Sequence, residues 1–136
     1  MFLVKFEKGD EIKITEAQKE LLCLQSSVIE HFTEDNVIIT PKYVSKKSFE
    51  SIIRFIDMCP ADFDHNFAKP IDKNEFHSKA WLFENWLQGM EKEDLFSLLN
   101  SANYLIIKSL IDLLCAYIAL RIKYMTNEEM TDYFTI

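Results

Sequence analysis

The sequence predicts an α/β fold in which a small three-stranded sheet packs on helices and further helices follow toward the carboxyl end. The 136 residues suffice for one domain, and 49% of them are hydrophobic, which is ample for a core. Only two Gly and three Pro occur, and this scarcity is typical of helices joined by short connections. Apolar residues alternate near the start of the chain and recur at helical spacing later, which predicts strands followed by helices.

The first elements are a β-hairpin and a capped helix. Apolar and polar side chains alternate, imperfectly over residues 2–7 and cleanly over 11–14, on either side of turn residues 8–10. Thr15 lies three residues before Gln18, which is the spacing of a capping box. A helix is therefore expected to begin near residue 16.

A second short helix and a third strand follow. The helix would bury Val28, Ile29 and Phe32. Residues 36–40 have strand composition and are followed by Pro41, which cannot donate to a ladder.

The middle of the chain predicts a helix, a loop and another helix. Ser45 can cap the first of these helices. Residues 61–77 carry charges, a proline and isolated phenylalanines without a period, which predicts a partly mobile loop. Residues 79–87 then favour a short helix. The buried stripe of the capped helix is expected to comprise Phe49, Ile52, Ile53 and Ile56.

Three helices are expected in the last third of the chain. Acidic side chains at 91–94 favour a helix start there, and Thr126 with Glu129 forms a capping box that opens the last helix. The inner stripe of the helix that starts near residue 92 is expected to be Leu95, Leu98, Leu99, Ala102 and Leu105.

The helix over 107–124 has two apolar stripes, about a third of a turn apart at ~100° per residue. Two stripes mean either a helix enclosed between two layers of its own protein or one stripe kept for a partner. We expect the second arrangement, with surplus apolar surface reserved for another polypeptide. One stripe is Ile107, Leu110, Ile111, Leu114, Ile118 and Ile122, and the other is Leu113, Tyr117, Leu120 and Tyr124.

Charge and cysteine content restrict the class of protein. The net charge of −7 and pI of about 4.9 disfavour nonspecific binding to nucleic acid or to an anionic membrane. No stretch reaches the ~18 apolar residues of a membrane span, and Lys5 and Glu7 come too early for a signal peptide. Cys23, Cys59 and Cys115 are expected to be reduced, buried thiols of a cytoplasmic or nuclear protein.

Sites for catalysis or a cofactor are weakly supported. Cys59, His65 and His77 could act as ligands of a metal ion, but their spacing in the sequence is loose and they provide only three ligands. Cys23 and His31 lack a glycine-rich elbow, and two glycines could not build a phosphate loop. We therefore expect no enzyme activity and no cofactor or metal.

Two motifs lie near the carboxyl end. Ala102-Asn103-Tyr104-Leu105 is followed by Ile107-Lys108, and Thr126 is followed by Glu128-Glu129, Phe134 and Ile136. Both motifs resemble those of the Skp family. Members of this family are BTB/POZ-fold adaptors that join an F-box protein to a cullin in SCF-type ubiquitin ligases. The sequence departs from the family pattern at Ile106, Ser109 and Tyr124, where relatives usually have Asp, Gly and Gly.

The resemblance implies a cullin-binding pair, Asn103 and Tyr104. On the helical wheel Tyr104 lies opposite the buried stripe of its helix, which fits either an aromatic partner anchor or a ring that folds over the helix end and packs locally. The resemblance also implies an F-box-binding region on the last helices. Its expected residues are Leu113, Tyr117, Leu120, Tyr124, Phe134 and Ile136.

The sequence thus predicts a BTB/POZ-like domain over 1–105 and helices over 106–136 that dock the F-box. The expected function is noncatalytic bridging of an F-box protein and a cullin. An uncovered apolar stripe also allows weak self-association when no partner is bound.

The alternative is an interaction protein of the same fold without this role, such as an elongin C-like adaptor or a subunit of another assembly. Relatives usually continue past the position of Ile136 into a helix that carries a Trp, which favours this alternative.

Overall fold

In the computed structural model, which describes residues 2–134, four short strands and six α-helices form a mixed α/β domain. A 3₁₀ segment, Ile29–Phe32, lies between the first helix and the third strand. The predicted α/β class with helices at the carboxyl end is confirmed. The elements are β1 Phe2–Lys5, β2 Glu11–Ile14, α1 Glu16–Gln25, β3 Thr33–Glu34, β4 Val37–Ile39, α2 Lys46–Met58, α3 Lys73–Gln88, α4 Lys92–Leu105, α5 Lys108–Lys123 and α6 Asn127–Phe134.

The sheet has the order β2-β1-β4-β3, with β1 and β4 parallel and the other pairs antiparallel. The predicted hairpin is confirmed, with Val4 opposite Ile12. A fourth strand, β3, was not predicted. It exists because Asp35 and Asn36 both adopt positive φ, the conformation of a two-residue hairpin turn.

The predicted caps are confirmed by their hydrogen bonds. The hydroxyl of Thr15 accepts from the amide of Gln18 at 3.1 Å, and the side chain of Gln18 accepts from the amide of Thr15 at 3.0 Å. The Ser45 hydroxyl accepts from Ser48 N at 3.1 Å, and the Thr126 hydroxyl accepts from Glu129 N at 3.1 Å. Each cap satisfies an amide that has no partner within its own helix.

The loop expected over 61–77 ends earlier than predicted, because α3 begins at Lys73. The Asp72 carboxylate caps this helix by accepting from Glu75 N at 3.2 Å. The helix also extends through the predicted 79–87 segment, with non-helical backbone at Ala80. The apolar residues of α3 show no single helical period in the sequence, because the helix is kinked at this residue.

The isolated phenylalanines of the loop are anchors in the core. Phe63 packs edge-on against Phe83, with ring centroids 5.0 Å apart, and Phe67 stacks on Phe76 at 5.5 Å. The loop thus runs from α2 back over α3 and along α5.

No helix within residues 2–134 has both the length and the apolar character that a membrane span requires.

Candidate partner-binding surfaces

The junction between α4 and α5 is held by side chains of α1 and the turn that follows it. The hydroxyl of Ser26 donates to the carbonyl oxygen of Leu105, the last residue of α4. The hydroxyl of Ser109 donates to Gln25 Oε1 at 2.6 Å. These bonds fix the end of α4, and with it the direction in which Asn103 and Tyr104 point.

Ile106 makes the turn between the two helices. It adopts the left-handed conformation, with φ 51° and ψ 58°, and its side chain is half exposed. A β-branched residue is strained there, whereas Asn, Asp or Gly would not be. The departure from the family pattern at this position therefore carries a conformational cost.

Asn103 and Tyr104 are both exposed, as their predicted role requires. Tyr104 is 44% exposed and stacks on Tyr43, with ring centroids 5.2 Å apart and 19° between the ring planes. Lys42 Nζ lies 5.7 Å from the centroid of the Tyr43 ring. We name Tyr43, Asn103 and Tyr104 the tyrosine face. Sequence reasoning missed Tyr43 because it lies in a short segment without a period.

The expectation that the second stripe of α5 is exposed is wrong for Leu113 and Tyr117. Leu113 is 0% exposed and Tyr117 is 6% exposed. The ring of Phe76 from α3 lies 6.1 Å from that of Tyr117, and α5 also packs on α4. The helix is therefore enclosed between two layers of its own protein, because α3 supplies the cover that we assigned to a partner.

The other residues expected to bind an F-box lie nearer the surface. Tyr124 is 64% exposed, Phe134 is exposed, and Leu120 is half-buried against the core. Ile136 lies outside the described residues. We name Leu120, Tyr124 and Phe134 the carboxyl-end set.

Aromatic contacts hold α6 against α4 and α5. Phe96 of α4 packs on Tyr133 at 5.6 Å and on Phe134 at 6.0 Å. The guanidinium of Arg121 lies 5.7 Å from the rings of both Tyr117 and Tyr133, and it donates to the Tyr117 hydroxyl at 3.0 Å. Burial raises the pKa of Tyr133. Phe134 is therefore presented on a helix with specific anchoring contacts.

The residues considered for metal binding do not form a cluster. His65 Nδ1 lies 2.7 Å from Asp112 Oδ2, and His77 Nδ1 lies 2.8 Å from Glu84 Oε1. Cys59 instead accepts a hydrogen bond from Gln25 at 3.8 Å. Over residues 2–134, no group of three His, Cys, Asp or Glu side chains is placed to hold a metal ion.

The thiols differ from expectation, since none is fully buried and Cys115 is exposed. Burial raises the pKa of Cys23 to about 11, together with the hydrogen bond that the thiol donates to Glu30 and the charge of that carboxylate. Burial likewise raises the pKa of Cys59 to about 11. Both thiols are therefore protonated, weak nucleophiles near neutral pH.

The chain is similar to proteins of one family along its whole length. The Skp1 family, dimerisation domain, is matched by residues 108–136. SCF ubiquitin ligase complex protein SKP1b of Dictyostelium discoideum is 30% identical over 141 residues, which cover all of this chain and 85% of that protein. SKP1-like protein 11 of Arabidopsis thaliana is 27% identical over 136 residues, covering all of this chain and 84% of that protein.

A further relative is similar to this chain over a shorter region. The S-phase kinase-associated protein 1 homolog of Tetrahymena thermophila is 29% identical over 122 residues, which cover 89% of this chain and 72% of that protein. The alignment with SKP1b, which covers all of this chain, spans the sheet, the tyrosine face and the last helices. With this coverage, the chain belongs to the Skp1 family.

Proposed function

We propose that this chain is a noncatalytic adaptor that joins an F-box protein to a cullin in an SCF-type ubiquitin ligase. The proposal rests on the family and on its relative named as an SCF ubiquitin ligase complex protein. The observation that carries it is the exposed Tyr104, stacked on Tyr43 at a helix end that Ser26 holds in place.

The tyrosine face has the properties of a cullin-binding anchor. Two stacked rings present apolar area that loses little conformational entropy on binding, because each ring already restrains the other. The amide of Asn103 beside them can supply directional hydrogen bonds. Aromatic anchors with polar neighbours are typical of interface hot spots.

The F-box would contact the carboxyl-end set. Tyr124 and Phe134 offer exposed aromatic surface near α5 and on α6, and amphipathic helices are bound through such apolar contacts. Leu113 and Tyr117 do not take part directly. They pack beneath α3 and α4 and hold α5 rigid, so they would act on F-box binding through the stability of the domain.

The mechanism is geometric. An adaptor bound to both partners sets the distance between a substrate receptor and the catalytic arm, which raises the effective concentration of the substrate at that arm. Such a role needs two separate surfaces on a rigid body. The tyrosine face joins the end of α4 to the segment before α2, whereas the carboxyl-end set lies at the end of α5 and on α6.

The same substitution at two exposed tyrosines tests the proposal. Tyr104→Lys is expected to weaken binding to a purified cullin of the source organism by at least about tenfold, while F-box binding is unchanged. Tyr124→Lys is expected to do the reverse. Each variant is the control for the other, and thermal unfolding checks that both remain folded. Unchanged cullin binding by Tyr104→Lys would refute the assignment of the tyrosine face.

A second candidate is an interaction subunit of another assembly that does not bind an F-box. The burial of Leu113 and Tyr117 favours it, because less apolar surface is open to an F-box than the sequence predicted. Affinity capture from the native cell separates the two functions. Recovery of a cullin together with F-box proteins supports the first, and recovery of a stable complex without either supports the second.

A further inference from the structure

A groove of about 810 Å³ lies between the loop at 65–71 and the side of α5 that neither apolar stripe occupies. Its volume is in the range of pockets that hold small molecules, which is about 300–1,000 Å³. It is lined by none of the residues of the tyrosine face or the carboxyl-end set. Its apolar walls come from Phe67, Pro70 and Ile71 of the loop and from Cys115, Ala116 and Ala119 of α5.

The loop wall is attached to α5 at two points. His65 Nδ1 lies 2.7 Å from Asp112 Oδ2. Lys123 Nζ donates to the carbonyl oxygen of Ile71 at 3.0 Å. The ring of Phe67 stacks on buried Phe76 behind this wall, so the groove has a formed shape.

The charge of the lining is opposite to that of the protein. Three lysines line the groove, Lys69, Lys108 and Lys123, against the single carboxylate of Asp112, which His65 already contacts. Within residues 2–134, Lys69 and Lys108 are exposed, and their side chains make neither a hydrogen bond nor an ion pair. Cationic groups without an internal partner, in a chain of net charge −7, favour an anionic ligand at this place.

We propose that the groove binds a small organic carboxylate with an apolar body. The apolar part would lie against Ala116, Ala119 and Phe67, where it is removed from water. The carboxylate would accept charge-assisted hydrogen bonds from Lys69 and Lys108 at the rim. A neutral apolar molecule would make no ionic contact with these lysines. A small inorganic anion would leave the apolar walls of the groove exposed to water.

The test compares three probes that separate charge from apolar body, namely octanoate, 1-octanol and acetate. Binding in each titration is monitored by two-dimensional amide NMR spectra of the full chain. Octanoate is expected to shift the amides of 65–71 and of the facing side of α5 and to bind at least about tenfold more tightly than either other probe. Equal binding of octanoate and 1-octanol would overturn the proposal, as would shifts confined to other parts of the molecule.

Two kinds of variant identify the contacts. The double variant Lys69→Glu, Lys108→Glu is expected to weaken octanoate binding by at least about tenfold, whereas two reversals elsewhere, Lys13→Glu and Lys46→Glu, change it little. Ala119→Phe keeps the charges but fills the groove, and it should abolish binding even if the lysine variant fails to fold. Octanoate binding that survives Ala119→Phe would contradict the proposed site.

Cys115 provides a second readout, because its exposed thiol lies in the lining. Bound octanoate is expected to slow the alkylation of Cys115, as measured by peptide mass spectrometry. Cys23, which does not line the groove, is the internal control. Equal rates at Cys115 with and without saturating octanoate would count against occupancy of the groove.

Discussion

The hydroxyl of Ser26 donates a hydrogen bond to the carbonyl oxygen of Leu105, and so joins the end of α1 to the end of α4. The hydroxyl oxygen of Ser26 also accepts from the amides of Val28 and Ile29, at 3.4 and 3.1 Å. The carbonyl of Leu105 is at a helix end, where it lacks a partner within the helix. A single buried hydroxyl thus satisfies three backbone groups and positions the neighbouring Tyr104.

Removing this hydroxyl is expected to be costly. Ser26→Ala should lower the free energy of unfolding by roughly 1–3 kcal/mol, because it leaves a buried carbonyl and two amides without a partner. Denaturant unfolding measures the change. Ser27→Ala is the matched control, since Ser27 is exposed, and it should stay within about 0.5 kcal/mol of the parent. Similar losses for both variants would contradict the role assigned to Ser26.

Replacing Ile106 should stabilise the protein. Ile106→Asn relieves the left-handed strain of a β-branched residue whose side chain is half exposed, and we expect a gain of roughly 0.5–1 kcal/mol. Ile39 is also an exposed isoleucine, but it lies in β4. Ile39→Asn should therefore destabilise, since Asn disfavours strands. A loss of thermal stability in Ile106→Asn would show that the strain is offset by packing.

The stacked pair of the tyrosine face should show a small coupling energy. A double-mutant cycle with Tyr43→Ala and Tyr104→Ala is expected to give about 0.5 kcal/mol, the lower end for aromatic pairs, because both rings are exposed. Denaturant unfolding of the four proteins measures it. A coupling energy of zero would mean that the stack does not restrain Tyr104 in solution.

Leu113 should behave as a core residue. Leu113→Ala is expected to lower the free energy of unfolding by roughly 2–5 kcal/mol, because it leaves a cavity between packed helices. Leu24→Ala is the control, since Leu24 is 83% exposed, and it should change stability by about 0.5 kcal/mol or less. If α5 kept this stripe open for a partner, the two variants would cost about the same.

The thiols should titrate well above their ordinary pKa of 9.0. Iodoacetamide alkylation of Cys23 and Cys59 in the folded protein is expected to have a midpoint near pH 11, returning to about 9.0 in denaturant. Because the folded state holds these protons more tightly, their contribution to stability is complete below pH 9.0 and is lost as pH rises towards 11.

The carboxylate of Glu30 accounts for part of the shift at Cys23. Glu30→Gln removes its charge, so the pKa of Cys23 should fall, while burial keeps it above 9.0. Cys59 does not depend on Glu30 and should keep its midpoint. An unchanged midpoint for Cys23 in this variant would leave burial as the whole cause.

Much of the fold could be predicted because its signals are local. The capping boxes at Thr15 and Thr126 are closed by side chains three residues away, so spacing alone reveals them. Tyr104 could be placed on an exposed side because its helix has one regular buried stripe. Tyr43 could not, since its contact with Tyr104 joins segments that no sequence period relates. Ser26 was missed for the same reason, as its partner Leu105 is remote in the chain.

By itself, the sequence determined the first hairpin, the helix starts capped by Thr15, Ser45 and Thr126, and the presence of two apolar stripes on α5, because neighbours within one helical turn or one hairpin control these features. Only the tertiary structure decided that the protein itself covers most of both stripes. That outcome depends on where α3 and its preceding loop lie, and Phe76, which covers Tyr117, is about forty residues away in sequence. Whether a stripe is buried depends on which element packs against it. A helical wheel therefore reveals apolar stripes but not what covers them.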